Sequence, residues 1–303
     1  MVSTDMSRTE VPGPVESALE RAERIDPAEA FKLIGNETRL DILKALAEAD
    51  ERPVSFSDLR ASVGMRDSAQ FNYHLQRLVG HFIEHTEEGY NFKHAGEKVI
   101  RAIFAGSFTD DPRIEPFEVA GGCVSCGGSL TGRYHDEHIT IACADCGQRH
   151  GRYSFPPGGL NDRTLDEIAT AFDNRVRHLH CLAADGVCPE CGGRMDTDII
   201  EDTDCCLGVD LHVDHHCRQC GHEVCSAPGL RLLDQSTVVS YYNDHGIDLD
   251  ERPYWTLPWC VSDAYHSVTS REPFRIEVRM PIGDDELVVV LDEALNVVDI
   301  EER

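Results

Sequence analysis

The sequence predicts a multidomain α+β protein, and three observations predict it. The chain has 303 residues, more than one hydrophobic core usually covers. Its first third carries helical apolar stripes punctuated by capping residues. Beyond it, eight of the 13 cysteines fall in CxxC pairs, and short alternating strand patterns follow them. The expected organisation is a mobile N-terminal arm at 1–25 and a helical domain at 26–106. Two four-cysteine modules at 107–160 and 184–233 flank a connecting helix at 161–183, and a small α+β unit at 234–303 ends the chain.

Charge is distributed unevenly along these segments. There are 55 acidic side chains against 28 basic ones, a net charge of −27, and lysine occurs only four times. Such an excess keeps a chain hydrated at very high salt, which we read as adaptation to a salt-rich cytosol, a halophilic character. Phosphates repel acid, an argument against a nucleic-acid partner, but the distribution weakens it. From Ala28 to Ala105, 10 basic residues stand against 12 acidic; from Gly106 to Arg303, 15 stand against 37. The N-terminal domain is near neutral. The sequence shows no apolar run of membrane-spanning length, and its start, MVSTDMSRTEVPGP, lacks a basic segment leading into an apolar one. A cytoplasmic protein without a membrane partner is expected, and in a reducing compartment clustered cysteines indicate metal rather than disulfides.

In the N-terminal domain, Asp26-Pro27-Ala28-Glu29 reads as a helix start ending at Gly35. Asn36 caps a second helix with Leu40, Leu43, Leu46 and Ala47 as its apolar stripe. Ser55-Phe56-Ser57-Asp58 opens a third, with Leu59 and Val63 inward, and Gly64 closes it as a left-handed residue before apolar Met65. Asp67 caps the fourth helix. There Phe71, Leu75, Leu78 and Val79 form the apolar stripe, and Ala69, Gln70, Tyr73, Gln76 and Arg77 the opposite face. From Ser68 to Ile83 there is no carboxylate. Helix, short Gly-containing turn, then a helix with an exposed polar face is the helix-turn-helix pattern. His81 to Thr86 and Tyr90 to Lys93 read as strands of a wing, followed by a helix carrying Val99, Ile100, Ile103 and Phe104.

These elements, LIGNETRLDILKAL, then SFSDLR, then QFNYHLQRLVGHFI, resemble an ArsR-type winged helix-turn-helix domain of halophilic archaeal type over about 80 residues. The resemblance implies that the fourth helix enters the major groove of double-stranded DNA, and that the protein is a homodimer joined through the first and last helices of the domain. Arg66, Ser68, Gln70, Asn72, Tyr73, His74 and Arg77 are then the candidate DNA contacts, since Asn, Gln and Arg can pair bidentately with base edges. Glu87 and Glu88 at the wing tip would repel phosphate, which leaves Lys93 at the base of the wing as its backbone contact. The first cysteine is Cys123, so the thiols with which such regulators sense arsenic- or cadmium-type ions have no counterpart in this domain.

Cys123-x2-Cys126 and Cys143-x2-Cys146 fit a four-thiolate zinc ribbon, and Cys188-x2-Cys191 with Cys217-x2-Cys220 repeat the pattern. A glycine follows the second cysteine of each pair, suited to a knuckle turn whose backbone N–H groups point at sulfur. Pro156 to Leu160 after the first ribbon is echoed by Ala227 to Leu230 after the second, and each ribbon leads into a helical segment, Arg163 to Ala183 and Gln235 to His245. This is an internal repeat of ribbon plus helix. Four thiolates fill a tetrahedral ion, so two structural zinc ions are expected. Of the remaining cysteines, Cys181, Cys205, Cys206, Cys225 and Cys260, the Cys205-Cys206 pair lies near His212, Asp214, His215 and His216. A further metal or redox site could be built there, although His and Cys beside a ribbon more often pack than ligate; exchange of Cys225 or His222 for Cys220 is a further alternative. In the last segment, Phe274 to Met280, Leu287 to Leu291 and Val297 to Ile300 read as strands, and Tyr254, Trp255, Pro258 and Trp259 as an aromatic core.

The sequence reading is a homodimeric transcriptional regulator, not an enzyme: there is no GxSxG, HExxH or phosphate-binding Gly-rich loop. Nothing in the sequence identifies a small-molecule or metal effector. The alternative is a protein-docking module, in which winged helix and ribbons meet other proteins without reading DNA.

Overall fold

The computed structural model describes residues 25–201 and 207–303. The expected arm at 1–25 lies, Ile25 apart, outside the described residues, as do Cys205 and Cys206. The described residues are a mixed α/β structure of eight α-helices and four sheets, divided into two compact units, one ending at Ala102 and the other Ile103–Arg303.

The first unit contains α1 (Pro27–Ile34), α2 (Glu37–Glu48), α3 (Phe56–Ser62) and α4 (Ser68–Leu78), then the antiparallel hairpin β1 (Ile83–His85) and β2 (Tyr90–Phe92), and most of α5 (His94–Phe104), whose last two residues lie past Ala102. Each of the first four helices starts on a side chain that accepts an otherwise unpaired backbone N–H. Asp26 Oδ1 takes Ala28 N at 2.9 Å, Asn36 Oδ1 takes Arg39 N at 3.2 Å, Ser55 Oγ takes Asp58 N at 3.2 Å and Asp67 Oδ1 takes Ala69 N at 2.8 Å. The turn between α3 and α4 requires glycine: Gly64 has φ of +71°, its N–H donates to Ala61 O at 2.9 Å, and Met65 N–H donates to Arg60 O at 3.3 Å. That pair of bonds closes α3 and redirects the chain into α4. Ile42, Leu43 and Leu46 of α2 meet Leu59 of α3 and Phe71, Leu75 and Leu78 of α4 in a fully buried centre. Val79, expected on the stripe of α4, is instead its half-buried C-cap in extended conformation, because the chain turns there towards β1.

The second unit begins with an antiparallel sheet of β3 (Ile114–Gly122), β4 (Ser129–His135), β5 (His138–Cys143) and β6 (Arg149–Ser154), in that order. A 3-10 turn, Pro157–Leu160, leads into α6 (Leu165–Ala184), which opens on a capping box between Thr164 and Glu167. The pattern recurs as β7 (Met195–Glu201), β8 (Leu211–Cys217) and β9 (Glu223–Ser226), a 3-10 turn at Pro228–Leu232, and α7 (Ser236–Asp244). The echoed proline-glycine segments thus form the same turn in both halves of the repeat. After the short α8 (Pro258–Val261), β10 (His266–Arg271), β11 (Phe274–Ile282), β12 (Asp285–Leu291) and β13 (Val297–Glu302) form an antiparallel meander.

The segments 107–160, 161–183, 184–233 and 234–303 share one core. Phe117 and Ile141 of the first sheet, Phe172 of α6, Val213 of β8, Trp255 and Trp259, and Val278 and Val289 of the meander belong to a single buried cluster. The aromatic segment is its centre: Tyr254, Trp255 and Trp259 are essentially fully buried, and the two indole N–H groups donate to Ala120 O at 3.0 Å and Tyr242 Oη at 2.6 Å. Inside the same core, Arg177 Nε donates to Asp173 Oδ2 at 2.8 Å, and Arg177 Nη2 donates to the Leu249 and Arg252 carbonyls.

Candidate metal centres and the exposed face of the fourth helix

The knuckles bring the predicted cysteines together in two groups of four, Cys123, Cys126, Cys143 and Cys146, and Cys188, Cys191, Cys217 and Cys220. Local chemistry explains the convergence. Gly127, Gly147, Gly192 and Gly221 all have φ between +72° and +77°, a conformation in which a side chain would be strained. Their turns aim backbone N–H groups at sulfur: Gly128 N lies 3.4 Å from Cys126 Sγ, Asp145 N 3.4 Å from Cys143 Sγ, Gly193 N 3.4 Å from Cys191 Sγ and Gln219 N 3.4 Å from Cys217 Sγ.

The geometry fits a tetrahedral ion. Sulfurs bound at about 2.3 Å to one tetrahedral centre stand about 3.8 Å apart. Here Cys123 and Cys146 Sγ are 3.7 Å apart, Cys126 and Cys143 3.5 Å, Cys188 and Cys220 3.7 Å, and Cys191 and Cys217 3.6 Å. Electrostatics agree. Backbone donors from Cys146 and Asp145 hold the Cys143 thiol down to about 7, and those from Cys220 and Gln219 hold Cys217 down to about 6. Cys126 and Cys220 each receive a backbone N–H that favours the thiolate, yet the neighbouring sulfurs push both up to about 12. Four thiolates so close repel one another, and a divalent cation removes the conflict. The two clusters can therefore hold two metal ions.

A residue absent from the sequence expectations joins the first centre. His150, fully buried on β6, faces Cys123 Sγ at 3.4 Å through Nε2 and Trp255 O at 3.0 Å through Nδ1. Burial lowers its pKa, so a neutral ring links the first thiolate set to the aromatic core. Its only sequence signal was its place four residues after Cys146.

On the first unit, Arg66, Ser68, Gln70, Asn72, Tyr73 and Arg77 are exposed, as are Ala69 and Gln76. Gln70, Tyr73 and Arg77 follow one another at i, i+3 and i+7 along α4, with Arg66 one turn before. Tyr73 is 59% exposed, unusual for so large a ring. Two expected contacts are placed differently. His74 is half-buried, with Nδ1 enclosed and without a hydrogen-bond partner; burial and then Arg39 hold its pKa below the usual value. Its position between the apolar and polar faces turns it inward, so it is not part of the exposed row. Lys93 is exposed, but its Nζ donates to Gly80 O at 2.6 Å, which ties it to the base of the hairpin.

The other cysteines separate. Cys260 is fully buried, with its pKa raised well above the usual value by burial; Cys181 is half-buried, and burial together with Asp234 raises it too. Cys225 falls with His212 and Asp214 rather than with either four-cysteine group. No helix among the described residues is long and apolar enough to cross a membrane.

No curated protein matches the chain. Residues 27–103 match a family described as a domain of unknown function (DUF7347). Residues 120–297 match a second, also described as a domain of unknown function (DUF7351). The second match spans the two cysteine centres and more than half of the sequence, and the chain belongs to the DUF7351 family.

Proposed function

We propose that the protein is a sequence-specific, DNA-binding transcriptional regulator whose first unit works as a winged helix-turn-helix of ArsR type. The observation that carries this reading is the exposed face of α4. In a chain of net charge −27, Gln70, Asn72, Tyr73, Gln76 and Arg77 form a solvent-facing row with no carboxylate between Ser68 and Ile83. The helix is held by Asp67 as cap and by the Gly64 turn, so the row is presented on a rigid element. At molar salt, counterion release contributes little, and affinity has to come from direct base contacts and close fit. A row of amides, a phenol and one guanidinium suits that regime better than a lysine patch.

The protein acts as a homodimer in this reading. The resemblance puts the dimer contacts on the first and last helices of the domain, and Phe31 on α1 and Phe104 at the end of α5 are 70% and 52% exposed. Both four-cysteine centres hold zinc, the ion that all-thiolate tetrahedral sites favour, and they brace the acidic second unit. The acidic wing tip and the hydrogen-bonded Lys93 favour a second reading, a protein-docking module without specific DNA binding. Crosslinking of the tagged protein to DNA inside cells at native salt, followed by sequencing, separates the two. A few sharp sites sharing a pseudo-palindrome, lost in the Gln70→Ala/Tyr73→Ala/Arg77→Ala variant, are expected. Diffuse recovery that is the same in both proteins would favour docking.

A further inference from the structure

The second sheet of cysteine-bearing strands holds a third group of metal-ligating donors that neither four-cysteine centre uses. On β8, His212, Asp214 and His216 alternate onto one face. The β8–β9 register pairs Asp214 with Cys225 and His216 with Glu223, and directly opposed residues of antiparallel strands share a face. Pairing alone therefore gathers His212, Asp214 and Cys225, and one donor atom of each lies within 4.8 Å of the other two. His216 is drawn off to Glu223, at 3.3 Å.

The surroundings point to a ligand. His212 is only 4% exposed; its Nε2 lies 4.0 Å from Asp214 Oδ2, and its Nδ1 is enclosed without a hydrogen-bond partner. All three residues line one cavity, together with His222, whose Nε2 is also enclosed and without a partner. Leaving a buried nitrogen without a partner is costly, and water held by an ion in the cavity would give the His222 nitrogen one. The cavity is fixed on its far side by the first sheet, where Tyr153 of β6 donates its hydroxyl to Cys225 O at 2.9 Å.

We propose that His212, Asp214 and Cys225 form a third metal site, which takes a divalent first-row transition ion such as Zn²⁺ or Co²⁺ and keeps a coordination position open to the cavity. One imidazole, one carboxylate and one thiolate suit this class of ion, whereas Mg²⁺ and Ca²⁺ prefer all-oxygen shells. Three protein ligands with room for a fourth contrast with the two closed thiolate sites, so the third ion exchanges while the other two stay. The site stands whether or not the first unit reads DNA.

The test is metal counting on the full-length protein, dialysed against buffered free Zn²⁺ and then against a mild chelator, beside Cys225→Ser and Asp214→Asn. Wild type should hold three ions per chain and lose one to the chelator; both variants should hold two, and these two report that the fold is intact. Co²⁺ added to the two-zinc protein should give a near-ultraviolet thiolate-to-cobalt band that Cys225→Ser lacks. A wild-type protein that saturates at two ions and gives no such band would overturn the proposal. So would a third ion, or the band, retained undiminished in both variants. Should a variant hold fewer than two ions and so have lost its fold, the wild-type count and band decide alone.

Discussion

The Asp173–Arg177 pair on α6 offers a quantitative test of how the second unit is held together. Both side chains are buried, 7% and 8% exposed, and they join at 2.8 Å. Asp173 Oδ1 also accepts Tyr254 N at 2.6 Å, while Arg177 reaches the Leu249 and Arg252 carbonyls, so the pair binds α6 to the segment leading into the aromatic core. Burial raises the Asp173 pKa even though Arg177 opposes the shift, which means that desolvation outweighs the attraction. Removing one partner strands the other charge, at about 3–5 kcal/mol for Asp173→Leu or Arg177→Met alone. Removing both leaves three backbone groups without partners, at about 1 kcal/mol each, or about 3 kcal/mol in all. The double variant should therefore be no less stable than either single one, with a coupling of at least about 3 kcal/mol. Equilibrium denaturation at fixed zinc, followed by tryptophan fluorescence, measures it, because Trp255 and Trp259 are the only tryptophans and both lie in this core. Costs that simply add, or single variants below about 1 kcal/mol, would refute the reasoning.

Three further outcomes are expected. A methyl at Gly96 of α5 would run into the Phe82 carbonyl oxygen and, at 2.9 Å, the Phe92 ring, so Gly96→Ala should destabilise the first unit by about 1–3 kcal/mol, read by amide hydrogen exchange over α2 to α5. Burial pushes His180 down to about 3 and His266 down to about 4. The unfolded chain protonates these residues first, near pH 6.5, so stability is fully present above about that pH and falls as pH drops towards 4, by up to about 1.4 kcal/mol per pH unit for each histidine. His180→Leu should flatten that fall between pH 6.5 and 5 in denaturation measurements; an unchanged slope would contradict it. Stripping metal with a strong chelator should unfold the second unit with release of the ions of both four-cysteine centres, seen as loss of buried-tryptophan fluorescence, while α1 to α5 keep their exchange protection.

The sequence made legible what depends on spacing. Capping side chains and Gly64 marked the starts and the turn of α1 to α4, since these positions answer local backbone needs that only a few residue types meet. Paired cysteines with a following glycine marked both four-cysteine groups for the same reason. Less legible was whatever depends on distant packing. β10 has Val268 as its only aliphatic residue, and β3 contains Pro116 and two glycines with two register shifts, so neither shows clean alternation. The joining of α6 to the chain around Tyr254 rests on Asp173 and Arg177, charges that a sequence reading leaves on the surface. The grouping of Cys225 with His212 and Asp214 depends on the pairing of β9 with β8, which the sequence does not reveal; there the neighbouring thiols were those of Cys205 and Cys206. On α4 the row of polar side chains was readable, but the half-burial of His74, on which Arg39 of α2 acts, depends on the other helices of the unit.

The central claim, that the exposed row on α4 reads base edges, is tested most directly by fluorescence anisotropy with purified full-length protein. Wild type and the Gln70→Ala/Tyr73→Ala/Arg77→Ala variant are titrated at high salt onto a duplex recovered from cells and onto its scrambled counterpart. Loss of base contacts at about 1–3 kcal/mol each predicts that wild type prefers the recovered duplex at least about 100-fold and that the variant loses the preference. All three side chains are exposed and none belongs to the core, so the variant should stay folded. Equal binding of wild type to both duplexes, or an unchanged preference in the variant, would contradict the account.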